Sequence, residues 1–274
     1  LQQTNDNFAA EVLNVKAGEV DEWRRVKMNQ LMMFTQNAVF VDACQGRRVE
    51  EARQRLKYYF EQDGMLENLF LAQPDGKIFL DAIDGKSVGV QLSSLPEYAP
   101  NIQKALQGEG FFGHGTKSPA TGKPVILVTA PLKQDGAIIG IIGCPVELET
   151  FAETYVNKIK IGKTGYIYIA DENGLTVAHP DKQQILALNL NDLDFGSNML
   201  KMKDGKYSYN WAGVDRSAYF KTSAQTGWLV ALSLADEETY AASRQLGFYA
   251  LLIGAIIIAL TCVFSTASIV RLVI

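Results

Sequence analysis

The side chains able to carry chemistry are few and far apart. The chain holds two histidines, His114 and His179, 65 residues apart, and three cysteines, Cys44, Cys144 and Cys262. Neither His sits in a motif with metal-ligand spacing, and no zinc pattern of cysteines exists. No G-x-S-x-G elbow, Walker loop or dinucleotide fingerprint occurs, so a hydrolase, an NTPase and a nicotinamide enzyme all lack their machinery. The run Asp171-Glu172-Asn173-Gly174 offers oxygen atoms, but the further ligands of a calcium loop at alternate positions are missing, and a β-turn accounts for it better. Cys44 and Cys144 can pair in an oxidising compartment or stay free, and their sparse, odd-numbered set favours free thiols. The sequence therefore predicts no catalytic residue, no metal and no cofactor.

Charge narrows the partner. There are 26 basic and 30 acidic residues, a net charge of −4, with no basic stripe. That excludes a nucleic-acid surface, which needs clustered Lys and Arg to neutralise phosphates. Gly247 to Val270 reads GFYALLIGAIIIALTCVFSTASIV, 24 residues without a charge between Arg244 and Arg271. As a helix it measures roughly 36 Å, enough to cross a hydrocarbon core of about 30 Å. A buried core helix is the alternative, but such helices keep a polar stripe. The expectation is a transmembrane helix over 244–271, with the acidic Asp236-Glu237-Glu238 side outside the cell and the C-terminus cytoplasmic. The chain starts at Leu1, and a first membrane helix is expected before it.

The elements that must position any site come in two similar sets. Apolar residues at helical spacing (Phe8, Val12, Val15, Trp23, Val26, Phe34, Ala38, Val41) predict a long N-terminal helix within 1–48, ended at Gln45-Gly46. A second helix follows over Val49 to Gln62. Strands are expected at Leu66 to Ala72 and Lys77 to Leu80 around a Pro-Asp-Gly turn, then a helix over Pro100 to Gln107, then long strands at Pro124 to Leu132 and Ala137 to Val146. The glycine-rich segment 108–122 reads as a mobile flap. After a helix over Leu148 to Lys158 the order repeats, and LFLAQPDGKIFL (69–80) matches YIYIADENGLTV (166–177), slid by one residue, with Ala72 on Ala170 and Gly76 on Gly174. Strands at Lys206 to Trp211, Ser217 to Thr222 and Gly227 to Leu234 replay the first long hairpin. The fold class is α+β, built from two antiparallel-sheet lobes.

The long first helix, the stretch Phe34-Thr-Gln-Asn-Ala-Val-Phe-Val-Asp-Ala43, the Asp75-Gly-Lys77 turn and Val88-Gly89-Val90 together resemble a double Cache sensor domain. So do Lys104-Ala-Leu-Gln-Gly108, Thr121-Gly-Lys-Pro-Val125, Gly162-Lys-Thr-Gly-Tyr-Ile-Tyr168 and Gly227-Trp-Leu-Val230. The likeness covers nearly the whole chain in the right order. It implies two stacked PAS-like lobes, a membrane-distal one over 49–158 and a membrane-proximal one over 159–240. It also implies a periplasmic, inner-membrane sensor of a chemotaxis receptor, a homodimer joined through the long helix, with a small-molecule ligand in the distal lobe. A histidine kinase, a cyclic-dinucleotide enzyme, or a module binding a periplasmic protein remains open as an alternative.

The same resemblance places the ligand under the short helix that crosses the distal sheet. Members that bind α-amino acids carry Arg-Pro and two aromatics there, and an Asp on the last strand. Here those slots hold Ala99, Pro100, Asn101 and Ile102, with Pro145 at the Asp position. The bidentate carboxylate clamp and the ammonium acceptor are both gone, so an ordinary α-amino acid fits poorly. The remaining candidates are Tyr98 and Asn101 at the helix start, His114 and Lys117 as holders of an organic anion, Phe112 as an apolar wall, and Thr129 on the first long strand.

Overall fold

The computed structural model describes residues 2–158 and 161–237. Helix α1 (Gln2–Phe34) has no proline and buries one stripe: Ala9, Leu13, Ala17, Val20, Trp23, Lys27 and Leu31. At 33 residues it is about 50 Å long, enough to lie along two stacked sheets. It does so. Near its start Tyr219 donates to Asp6 (2.6 Å), at mid-length Ser223 donates to Asp21, and near its end Lys27 meets Asp63. The helix expected to continue past Phe34 stops there, because Thr35 turns its hydroxyl onto the Met32 carbonyl (2.7 Å) and Asn37 caps a new short helix, α2 (Ala38–Cys44). Helix α3 (Val49–Gln62) follows after a turn with Gly46 at φ 78°.

The first sheet takes strands β1 (Phe70–Ala72), β2 (Ile78–Asp81), β3 (Phe111–Lys117), β4 (Pro124–Gln134) and β5 (Ala137–Glu147) in the order β2-β1-β5-β4-β3. The second takes β6 (Tyr166–Ala170), β7 (Thr176–Ala178), β8 (Asp204–Trp211), β9 (Val214–Thr222) and β10 (Leu229–Ala235) in the order β7-β6-β10-β9-β8. The two orders are the same, and all pairings are antiparallel. The irregularities repeat as well: the register slips between Leu71 and Ala72 in one lobe and between Ile169 and Ala170 in the other. Gly76 and Gly174 close the two equivalent turns at positive φ, where a side chain would be strained.

Each sheet is covered on both faces. Helices α4 (Ala99–Leu106) and α6 (Asp194–Met202) lie on the outer faces of the first and second sheet, while α1, α2 and α5 (Leu148–Tyr155) share the inner side. Alternation along β4 shows the consequence: Ile126, Val128 and Ala130 point into the core under α1, and Leu127 into the one under α4. Double coverage is why β4 is buried from Val125 to Leu132 without a polar gap other than Thr129.

The glycine-rich segment 108–122 holds a paired strand, β3, where a flap was expected. Its glycines serve close approach. A Cβ at Gly113 would stand 2.4 Å from Asn101 Oδ1, and one at Gly115 2.6 Å from Leu186 Cδ2. Cys44 and Cys144 are free, and burial pushes both thiols up to about 12. Among the described residues no helix is long and apolar enough to cross a membrane, and the span expected at 244–271 lies outside them.

The Lys27–Asp63 pair ties α1 to the end of α3 with both side chains nearly buried. Removing one partner leaves the other charge stranded, so Lys27→Met is expected to lower stability by about 3–5 kcal/mol, whereas Lys27→Met with Asp63→Leu regains most of that loss. Urea denaturation of the single and double variants measures it, and equal losses in both would contradict the assignment.

Candidate ligand-binding site

A small enclosed cavity lies on the outer face of the first sheet, beside the start of α4. Its walls are apolar (Phe70, Ile78, Leu92, Leu127, Pro145), and Glu67, Asn68, Tyr98 and Ser118 supply polar groups. The free room is about 20 Å³, the space of one water molecule. Most of these polar groups are tied down. The Asn68 amide donates to Ser87 Oγ (3.0 Å) while its oxygen takes the Leu69 N–H, and Ser87 is anchored on Asp81 by both its hydroxyl and its N–H (2.7 Å each). Tyr98 donates its hydroxyl to the Lys117 carbonyl (2.8 Å), and burial raises its phenol well above the usual range.

Glu67 is different. It is 6% exposed, its Oε1 accepts from the Ser118 hydroxyl (2.8 Å), and its Oε2 is buried without a hydrogen-bond partner. A buried carboxylate oxygen without a donor is costly and draws a cation or a donor group toward it. Sequence reading placed Glu67 in an apolar strand and passed over it; the one available signal was a charge inside the run Met65-Leu-Glu-Asn-Leu-Phe-Leu-Ala72. The register explains the placement, since the Glu67 N–H pairs with the carbonyl of Pro145 (2.9 Å) before β1 begins.

The residues singled out from the sequence divide three ways. Tyr98 lines the cavity, and Asn101 and Thr129, both fully buried, fasten α4 to β4: the Asn101 amide donates to the Leu127 carbonyl (3.0 Å) and to Thr129 Oγ1 (3.3 Å). Lys117 contributes its carbonyl to Tyr98, and its side chain is exposed. Phe112 and His114 turn away from the cavity. Phe112 packs edge-on against Trp23 of α1 (5.8 Å between centroids), and His114 Nδ1 lies 3.2 Å from Glu172 of the second lobe. The pairing of His114 with Lys117 around one small anion is therefore not formed.

The equivalent place in the second lobe is filled with rings. Tyr166, Tyr168, His179, Phe195, Tyr209 and Trp211 enclose about 10 Å³, with Phe195 stacked on Tyr209 at 4.1 Å. His179 Nδ1 accepts the Asp181 N–H (3.0 Å) and its imidazole is pushed below its ordinary pKa by burial, as for a neutral turn residue. Asp171 Oδ1 accepts the N–H groups of Asn173 and Leu175 (2.9 Å each), so Asp171-Glu172-Asn173-Gly174 is a β-turn as expected.

A Cache-domain family profile matches residues 1–243. The chain belongs to the Cache domain family. Among curated relatives it is 32% identical over 131 residues to the methyl-accepting chemotaxis protein McpA of Pseudomonas putida, covering 46% of this chain and 20% of that protein. It is 24% identical over 227 residues to TlpB of Bacillus subtilis, covering 81% and 33%. The chain thus spans a fifth to a third of the length of these chemotaxis proteins. Among solved structures, the ligand-binding domain of the amino acid chemoreceptor PctB of Pseudomonas aeruginosa PAO1, in complex with L-Arg, superposes with a TM-score of 0.66 over 87% of this chain and 98% of that chain, at 18% identity. That likeness establishes the fold.

Asn101 anchors the Cache helix over the cavity, so Asn101→Ala, which strips the buried Leu127 carbonyl of its donor, is expected to cost about 1–3 kcal/mol. Lys117→Ala is expected to stay within about 0.5 kcal/mol of the parent chain. Chemical denaturation of both variants checks the contrast.

Proposed function

We propose that this chain is the extracytoplasmic sensor region of a transmembrane chemoreceptor, and that the cavity of its first lobe binds a small solute carrying a protonated amine. The observation that carries the ligand class is the unpartnered Oε2 of buried Glu67. A carboxylate in an apolar enclosure repels the organic anion expected from the sequence and attracts an ammonium group, whose N–H donors make charge-assisted bonds there. Without Arg at position 99 and with Pro145 in place of Asp, the site offers no clamp for a ligand carboxylate, so the solute is an amine rather than an ordinary α-amino acid. With room for one water, the cavity admits such a ligand by displacement of the Ser118–Lys123 turn, an exposed loop held by two backbone bonds (Gly122 N–H to the Ser118 carbonyl and Ser118 N–H to the Lys123 carbonyl, 2.8 Å each) and by the Ser118 hydroxyl, which accepts the N–H groups of Ala120 and Thr121. The relatives named as methyl-accepting chemotaxis proteins support the receptor setting, and Gly247–Val270 would carry the signal through an inner membrane.

Calorimetry and thermal shift on the purified chain test the ligand class, with ethanolamine, short alkylamines, acetate, citrate and L-arginine as probes. A primary amine is expected to raise the Tm, and Glu67→Gln, which keeps the acceptor for Ser118, to weaken binding at least tenfold, about 1.4 kcal/mol or more. Stabilisation by organic acids alone, or an amine affinity indifferent to Glu67→Gln, overturns the proposal.

The second element of this reading is a homodimer through α1. Phe8, Val12, Val15, Glu19, Glu22, Val26, Asn29 and Met33 follow alternating spacings of four and three along α1, with Val12 half-buried at the edge of the core and Phe8, Val15, Val26 and Met33 facing outward. Phe8, Val15, Val26 and Met33 are 53%, 55%, 49% and 74% exposed. Apolar residues at heptad spacing favour a partner helix. Val15→Glu is expected to shift the sedimentation of the chain from dimer toward monomer while leaving its far-ultraviolet dichroism intact, and an unchanged dimer counts against the α1 interface.

A further inference from the structure

The seam between the two lobes gathers metal-ligating groups that the ligand cavity does not use. His114 comes from β3 of the first lobe, and Asp171 and Glu172 from the turn between β6 and β7 of the second. One ligand atom from each lies within 4.8 Å of the others. His114 Nδ1 and Glu172 Oε1 are 3.2 Å apart, close to the separation of about 3.4 Å between two ligands each about 2.1 Å from a tetrahedral zinc ion.

The second observation is Asp171 itself. It is 2% exposed, and with Oδ1 engaged by the turn its Oδ2 is buried without a hydrogen-bond partner. Structural turns need one carboxylate oxygen, and the other here has no structural task. Glu172 is oriented from behind: its Oε2 accepts the Trp228 indole N–H (3.0 Å), the kind of outer hydrogen bond that fixes a metal-binding carboxylate. His114 and Glu172 are 46% and 42% exposed at the side chain, which leaves the outer side of the cluster open to an incoming ion and to a fourth ligand from water.

We propose that His114, Asp171 and Glu172 form a binding site for a first-row transition-metal dication, with Zn²⁺ as the probe, that joins the two lobes at their seam. Two carboxylates and one neutral imidazole bring a charge of −2 to the ion, and the neighbouring Arg24 guanidinium returns +1, so a dication leaves the cluster modestly positive. The imidazole selects zinc, cobalt or nickel over calcium and magnesium, which take oxygen ligands in greater number. A bound ion would hold β3 against the β6–β7 turn and so restrict movement of one lobe on the other, independently of what occupies the cavity of the first lobe.

The purified full chain, stripped with EDTA and dialysed, is titrated with ZnCl₂ by calorimetry and with CoCl₂ by visible absorption. One saturable zinc site per chain is expected, with tetrahedral cobalt bands displaced by zinc. His114→Ala, Glu172→Gln and Asp171→Asn should each weaken zinc binding at least tenfold and abolish the cobalt bands, while the Tm measured in EDTA stays within a few degrees of the parent chain; Asn at 171 retains an acceptor for the two turn N–H groups. A Tm that rises with zinc in the parent chain and not in His114→Ala supports the seam location. Absence of saturable binding, zinc affinity unmoved by the substitutions, or tighter binding of CaCl₂ than of ZnCl₂ overturns the assignment.

Discussion

Everything in this molecule depends on the packing of Trp23 and Arg24 where the two lobes meet on one helix. Trp23 touches Phe112 from the first sheet, Phe151 and Tyr155 from the connecting helix α5, and Trp228 at the entry to β10, with ring centroids 4.5–6.4 Å apart. The Arg24 guanidinium lies over Phe112 at 4.6 Å and Trp228 at 5.1 Å, so its charge bridges rings from both lobes. Burial pulls its pKa down, and the charges of Glu172 and Asp21 hold it up. A close-packed cluster of this kind is bistable rather than elastic: a lobe cannot slide along α1 by small degrees without unpacking rings. A displacement that begins at the cavity of the first lobe has three routes to the second: this cluster, α1, and the close approach of β3 to Leu186 and Glu172.

The polar groups are arranged by the same economy of burial. Asp81, Asn68 and Ser87 satisfy one another and the backbone around the end of β2, and the Asn101 amide nitrogen binds the Leu127 carbonyl and the Thr129 hydroxyl beneath α4, so these groups specify how the helix and loops sit on the sheet. Of the buried side-chain atoms without a hydrogen-bond partner among the described residues, those of Glu67 and Asp171 are the two that belong to carboxylates. Each lies where the fold leaves an opening, one beside an apolar cavity and one at the lobe seam. Their chemistry differs accordingly: Glu67 has hydroxyl and apolar neighbours suited to an ammonium group, and Asp171 has an imidazole and a second carboxylate suited to a metal ion.

The repeat of helix, hairpin, short helix and long hairpin was legible in the sequence because turn residues and apolar alternation are local signals. Ala72 over Ala170 and Gly76 over Gly174 correspond to the ends of β1 and β6 and to their closing turns. Where local signals mislead, the tertiary structure supplies the reason. The glycines of 108–122 suggest freedom, yet Gly113 and Gly115 are there because Asn101 and Leu186 press against the strand. Phe34 and Ala38 continue one helical period, yet a hydroxyl and an amide at Thr35 and Asn37 end the helix between them. The site is less legible for a geometrical reason. His114 and Glu172 are neighbours only because two sheets stack, and the use of Glu67 depends on Ser118, 51 residues later in the chain.

The alignment of the two lobes also shows that their equivalent places differ in chemistry. Setting Ala72 on Ala170 places Asn68 on Tyr166, Phe70 on Tyr168 and Glu67 on Gly165. In the second lobe, then, the amide of the cavity becomes a phenol ring and the carboxylate disappears. Gly165 cannot be restored to a larger residue, since a Cβ there would meet the Ile161 carbonyl oxygen at 2.3 Å. The space is taken by stacked rings, and charge enters from the opposite sign: Arg216 lies over the Tyr166 ring at 4.8 Å and is held by Ser233 (2.7 Å) and the Thr164 carbonyl (3.0 Å). In the second lobe the nearby charge is thus the Arg216 guanidinium against the Tyr166 ring, which opposes a cation by repulsion. One scaffold, used twice, therefore carries a buried carboxylate beside the cavity of the first lobe and a cluster of rings at the equivalent place in the second.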